Sequence, residues 1–223
     1  MKAVLGSFAV KEGHCPYSLG IQSIASYCKE RGEEVGMVSL DSNDLEGSVD
    51  EITSFNPQVV GLSANYVTQS NVMRLAEMIK QRTGNEMVVV VGGPSATYSL
   101  KDSQIRDSEI DLFVRGDGEM AFCDILERGP LPILNGKSKV LGVSTKQDFN
   151  EEVASVNLNS LPSVFPISFQ TNHVYWETVR GCAFSCIYCA HPGQSSQFRE
   201  IPLERISMEV EYLRDKEFRA IYI

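Results

Sequence analysis

Apolar and polar positions fall into blocks along the first 130 residues, and successive blocks change period. Met1 to Val10 is mostly apolar and reads as a first strand. From Ser18 to Arg31, Leu19, Ile21, Ile24, Ala25, Tyr27 and Cys28 follow the spacing of one helix face, and Gly32 supplies a natural stop. Val35 to Leu40 reads as a second strand. Val49 to Phe55 is a short helix halted by Asn56-Pro57, and Val59 to Ser63 is the third strand. Val72 to Gln81 has helical spacing. Met87 followed by Val88, Val89, Val90 and Val91 predicts a strand buried on both faces, closing on Gly92-Gly93-Pro94. Leu112 to Val114 adds a short strand ahead of Arg115-Gly116-Asp117-Gly118-Glu119, and Met120 to Leu126 a helix. This alternation predicts an α/β fold, a Rossmann-like doubly wound parallel sheet with helices on both faces.

From about Gly129 to Pro166 the texture turns to Pro, Gly, Asn and Ser, with only short apolar runs such as Lys139 to Ser144. The division that results is a sheet domain over 1–130, a connection over 131–168 and a second unit over 169–223. In the second unit, Val174 to Val179 reads as a strand, Pro202 to Asp215 as a helix and Arg219 to Ile223 as a strand. One strand-helix-strand unit is only the opening of an α/β barrel and cannot bury its own apolar face, so the chain is expected to be the N-terminal part of a longer protein.

Composition narrows the function. A hydrophobic content of 43% over 223 residues supports a substantial core. The net charge of -9 offers no basic stripe for a phosphate backbone and so disfavours nucleic acid as a general partner. No apolar run has membrane-spanning length and the N-terminus lacks a signal-peptide pattern, which makes the cytoplasm the expected compartment. Cys15, Cys28 and Cys123 stand at unrelated spacings, as reduced thiols do.

The other three cysteines are clustered. Cys182, Cys186 and Cys189 form C-x3-C-x2-C, with Arg180-Gly181 ahead of the first and Tyr188 before the last. A cubane cluster normally takes four thiolates, so a triplet leaves one iron open to another ligand. Zinc is the alternative, because thiolates at short spacing also suit a tetrahedral ion and His191 would complete a Cys3His set. The triplet with its Arg-Gly lead and its aromatic residue resembles the signature of the radical SAM superfamily. That resemblance implies a 4Fe-4S cluster held by Cys182, Cys186 and Cys189, S-adenosylmethionine on its open iron, and Tyr188 close to the cofactors.

The unusual residues of the first domain gather at strand ends, where ligands sit in open parallel sheets. Glycine there lets a bulky ligand approach the backbone, while serine and asparagine offer hydrogen bonds. Leu19-Gly20, Gly61-Leu62-Ser63, Gly92-Gly93-Pro94 and Gly116-x-Gly118-Glu119, followed by a connection and then the cysteines, resemble cobalamin-dependent radical SAM enzymes along the whole chain. The resemblance implies that Ser63, Gly92 and Gly93, with Pro94 and Ser95 following, line a pocket for the nucleotide tail of cobalamin. It also implies that Asn65, Tyr66, Gly116, Gly118 and Glu119 lie near the corrin. Methionine-synthase-type cobalamin domains carry Asp-x-His-x-x-Gly, whereas this chain has Glu12-Gly13-His14-Cys15-Pro16-Tyr17. His14 is therefore read as a loop histidine, with ligation of cobalt as the alternative, and without such a ligand the lower face of cobalt is open or water-bound.

The activity implied by the resemblance is methylation of an unactivated carbon of a small molecule or peptide through a 5'-deoxyadenosyl radical and methylcobalamin, with a flavodoxin or ferredoxin as electron donor. The chain by itself is expected to bind cobalamin without turning over. Two alternatives keep part of this: a cyclase or rearrangement enzyme without methyl transfer, and a non-catalytic cobalamin carrier or sensor. Phe184 reads as core, Gln194 and Arg199 as solvated, and Arg180 as either a cluster partner or a rim charge.

Overall fold

The computed structural model describes residues 1–8, 15–98, 107–149, 152–165, 173–184, 186, 187, 189, 198–216, 218 and 220–223. A six-stranded sheet dominates it. Its strands are β1 (Lys2–Phe8), β2 (Glu34–Leu40), β3 (Val59–Ser63), β4 (Val88–Gly92), β5 (Leu112–Val114) and β6 (Val143–Thr145), in the spatial order β2-β1-β3-β4-β5-β6. The first five are parallel and β6 joins the edge antiparallel to β5. The order reverses between β1 and β3, the switch point at which such sheets open a crevice beyond their carboxyl ends.

The two-residue period of the strands divides the core. Ala3, Leu5, Val59, Val88, Val90, Leu112 and Val114 face one layer, with helices α1 (Leu19–Glu30) and α5 (Gly118–Arg128). Val4, Val60, Leu62, Val89, Val91 and Phe113 face the other, with α2 (Leu45–Ser54) and α3 (Gln69–Thr83). The predicted doubly wound sheet is therefore present, and each strand carries apolar residues on both faces because helices cover both.

Several elements extend beyond their apolar patterns. Helix α2 begins at Leu45 because the Asp44 carboxylate accepts from the Gly47 N–H at 2.9 Å, a polar cap ahead of the first buried position. A short α4 (Pro94–Tyr98) follows β4, and α6 (Pro130–Leu134) follows α5. Within the stretch read as a connection, β6 pairs with β5, and Ala154, Val156, Leu158 and Leu161 join the α1/α5 core. Backbone pairing supplied by the existing sheet edge, rather than local propensity, makes β6 a strand.

Gly116 shows how tightly this stretch lies on the sheet. It has φ +84°, and an added Cβ would overlap the carbonyl oxygen of Ala154, whose backbone bridges Gly116. Gly116→Ala is expected to lower unfolding free energy by roughly 1–3 kcal/mol, read from a urea midpoint at unchanged slope. A midpoint equal to that of the unsubstituted chain would contradict the packing described.

The second unit contains β7 (His173–Tyr175), β8 (Val179–Arg180), β9 (Arg199–Glu200), α7 (Leu203–Arg214) and β10 (Ala220–Tyr222). Strands β7 and β10 pair in parallel, as an opening strand-helix-strand unit requires. The strand expected over Val174 to Val179 divides into β7 and β8, because β8 turns away to pair with β9. Helix α7 is held by Glu209, which accepts from Trp176 Nε1 at 2.7 Å and Arg205 Nε at 2.9 Å, while Arg205 also donates to the Leu161 carbonyl. No helix among the described residues is long and apolar enough to cross a membrane.

Candidate functional site: a cleft at the sheet switch point beside the cysteine loop

A cleft of about 250 Å³ opens at the carboxyl ends of β1, β3, β4 and β5, between α1 and the start of α5. Its floor is apolar, from Leu5, Ile24, Val90, Val114 and Phe122, and Ser63, Asp117, Glu119, Glu177 and Arg180 are its polar and charged lining residues. Gly61 packs against Leu5 and Phe122, where an added Cβ would come within 2.7 Å of both side chains. Gly20 and Gly92 border open space instead. An added Cβ would meet nothing within 4 Å at Gly20 and nothing nearer than 3.7 Å at Gly92.

The expected site residues separate into three groups. Ser63, Gly92, Gly93, Gly116, Gly118 and Glu119 all line this cleft. Two of these glycines also answer to backbone packing: Gly93 has φ +93°, with an added Cβ 2.7 Å from the Ala64 carbonyl oxygen, and Gly116 yields to Ala154. Ser95 lies elsewhere, in a small space bordered by Ala64, Val72, Val91 and Ile110, and its buried Oγ has no hydrogen-bond partner among the described residues. Pro94 opens α4. Asn65 is engaged locally, since its Oδ1 accepts from the Val67 and Thr68 N–H groups at 2.9 and 3.0 Å, while the neighbouring Tyr66 is 87% exposed. Tyr188, His14, His191 and Gln194 lie outside the described residues.

Cys182, Cys186 and Cys189 are exposed and unbridged, whereas Cys15, Cys28 and Cys123 are buried. A hydrogen bond with Cys123 and then burial push the Cys28 pKa far up, which keeps it a thiol and sets it apart from metal-binding thiolates. Among the described residues, no three His, Cys, Asp or Glu side chains are grouped closely enough to hold a metal ion. Burial first, and the charge of Cys189 second, raise the pKa of Tyr98 at the end of α4. Phe184, read as core, is 73% exposed.

Arg180 is neither isolated nor solvated. Its Nε and Nη2 donate to Glu177 at 2.9 and 2.8 Å, its Nη1 to Asp117 at 3.1 Å, and its Nη2 to Glu119 at 2.8 Å. Glu119 also accepts from Ser23 Oγ at 2.7 Å. Arg199, read as solvated, donates to Asp117 Oδ2 at 2.6 Å, Ser155 Oγ at 3.0 Å and the Val156 carbonyl at 2.9 Å. Sequence reasoning missed Asp117 and Glu177 as partners. The i, i+3 spacing of Glu177 and Arg180 is the one local signal for this cluster, since the remaining partners come together only on folding.

Burial raises the pKa of Asp117, but the Arg199 hydrogen bond, the Val156 N–H and the Arg180 charge outweigh it and leave the carboxyl below its ordinary value. A carboxyl depressed on folding stabilises the chain above its unfolded pKa, and that contribution disappears as pH falls through the folded value. Stability is thus expected to fall below about pH 4, and Asp117→Asn to have both lower stability at neutral pH and a flatter acid limb. Urea midpoints across pH for the two chains check this; parallel acid limbs would contradict it.

A B12 binding domain model matches residues 8–126, more than half of the chain, and the chain belongs to that family. It is also similar to a cyclase and to a cobalamin-dependent radical SAM methyltransferase. The anaerobic magnesium-protoporphyrin IX monomethyl ester cyclase of Synechocystis is 25% identical over 94% of this chain and 44% of the relative. The cobalamin-dependent radical SAM methyltransferase TokK of Streptomyces tokunonensis is 25% identical over 75% of this chain and 27% of the relative. The apo structure of the cobalamin-dependent S-adenosylmethionine radical enzyme OxsB shares the fold, with TM-score 0.72 at 18% identity over 96% of this chain and 32% of that one. The chain spans less than half the length of these curated relatives.

The cleft joins an apolar floor to a polar and charged rim. Its apolar floor, its serine and the uncovered backbone at Gly20 and Gly92 suit a flat base that has a polar attachment. The donor set of the cysteine loop, three free and exposed thiols, matches the ligation of an iron–sulfur cluster in chemistry.

Proposed function

We propose that this chain forms the cofactor-holding part of a cobalamin-dependent radical SAM methyltransferase that acts on an unactivated carbon of a small molecule or peptide. The observation that carries the reading is the switch-point cleft joined, through Arg180, to the strand that enters the cysteine loop. In this reading residues 1–130 are the cobalamin domain, 131–168 the connection and 169–223 the start of the radical SAM domain. When bound, methylcobalamin supplies the methyl group and the S-adenosylmethionine bound at the cluster supplies the radical.

The chain's own residues bind, orient and exclude water. Leu5, Ile24 and Phe122 keep the cleft floor dry, and Gly92 and Gly20 leave room for a planar group. Ser63 offers a hydroxyl beside it. Cys182, Cys186 and Cys189 would hold the cluster through their thiolates. In this reading a flavodoxin or ferredoxin delivers the electron.

The similarity to a cyclase favours one second reading, ring formation or rearrangement with the same cofactors. Assay of the full gene product for 5'-deoxyadenosine and S-adenosylhomocysteine separates the two. Both products together support methylation, deoxyadenosine alone supports the second reading, and absence of both contradicts each.

A further inference from the structure

The cysteine loop leaves the fold through β8 and returns through β9, so the pairing of these two strands closes its base. In that pairing Arg180 stands directly opposite Arg199. Like charges at directly opposed positions repel, and the pair is held only because carboxylates intervene. Asp117 is the shared one: Oδ1 accepts from Arg180 at 3.1 Å and Oδ2 from Arg199 at 2.6 Å. Glu119 and Glu177 take the rest of the Arg180 guanidinium. Asp117, Glu119, Glu177 and Arg180 also line the cleft. The groups that fix the base of the cysteine loop are therefore the groups that meet whatever enters the cleft.

Resting on the cobalamin reading above, we infer that Arg180 is a positioning residue that couples the two sites: filling the cleft and assembling the cluster each favour the other through the Arg180–Asp117–Arg199 clamp. A ligand in the cleft fixes Asp117 and Glu119, which fix β8 and β9, which fix the spacing of the loop ends. By linkage the effect is reciprocal, so a cluster in the loop tightens the cleft by the same factor.

The test is titration of the chain with hydroxocobalamin, with and without anaerobic reconstitution with iron and sulfide. The reconstituted chain is expected to bind at least about fivefold more tightly, the low end of ordinary coupling. In Arg180→Gln both forms bind with one affinity, and Arg180→Lys restores part of the difference. By the same linkage, hydroxocobalamin is expected to slow the loss of iron from the oxidised cluster to a chelator in the unsubstituted chain and not in Arg180→Gln. Equal affinities in the two forms of the unsubstituted chain overturn the coupling while leaving the cobalamin reading intact, and this comparison needs no variant to fold. Absence of hydroxocobalamin binding in both forms overturns the cobalamin reading and the coupling with it.

Discussion

Cys182→Ser, Cys186→Ser and Cys189→Ser are each expected to abolish the iron–sulfur chromophore of the anaerobically reconstituted chain, taking bound iron from about four per chain to background. The reason is the donor count. A cubane normally takes four thiolates and this loop offers three, so the loss of one leaves two, and a neutral serine hydroxyl does not replace a soft anionic ligand. Cys123→Ala is the control, because Cys123 is buried on α5 away from the loop. It is expected to leave iron unchanged. If the triplet instead binds zinc, the unsubstituted chain takes up zinc in preference to iron and no chromophore forms, which would contradict the cluster.

The second large effect concerns the cleft. Gly92→Leu is expected to weaken hydroxocobalamin binding by at least about a hundredfold, ~2.8 kcal/mol, while leaving the fold intact. Its nearest obstacle to a Cβ is 3.7 Å away, and its φ lies outside the left-handed region, so the backbone accepts a side chain. The added isobutyl group then occupies the cleft. Gly93→Leu would mislead, since its Cβ collides with the Ala64 backbone and the chain itself is disturbed. Titration of Gly92→Leu beside a circular dichroism spectrum separates blocked binding from misfolding. Unchanged affinity would mean that the ligand sits elsewhere.

The parallel sheet was legible because its strands are buried on both faces: Met87 to Val91 admits no amphipathic alternative, and glycine marks the ends of β4 and β5. Strand β6 was not legible. Val143–Thr145 is a short run in a stretch rich in turn residues, and only the free edge of β5 makes it a strand. The same holds at the site. Glycine at the strand ends and at the opening of α1 marked where the cleft lies, since all six glycines that line it, Gly20, Gly61, Gly92, Gly93, Gly116 and Gly118, stood in the sequence motifs.

Charges were read less well than glycines. Arg199 looked solvated because its partners, Asp117, Ser155 and Val156, lie more than forty residues away in sequence. Asn65 is held locally, its carboxamide oxygen accepting from the backbone ahead of α3, a role that short polar residues fill as readily as contact with a ligand. Ser95 follows the glycine pair in sequence but belongs to the space beside α3, away from the cleft. A long-range ion cluster leaves almost no local trace, whereas a backbone that must stay bare leaves a glycine.

The proposed function stands on one corrinoid seated at the switch-point cleft beside a three-thiolate cluster. Anaerobic reconstitution with iron, sulfide and hydroxocobalamin, followed by gel filtration with cobalt, iron and zinc measured in the protein peak, examines both at once. One cobalt and about four irons per chain, with little zinc, are expected. A peak that carries zinc and no cobalt would contradict the proposed function.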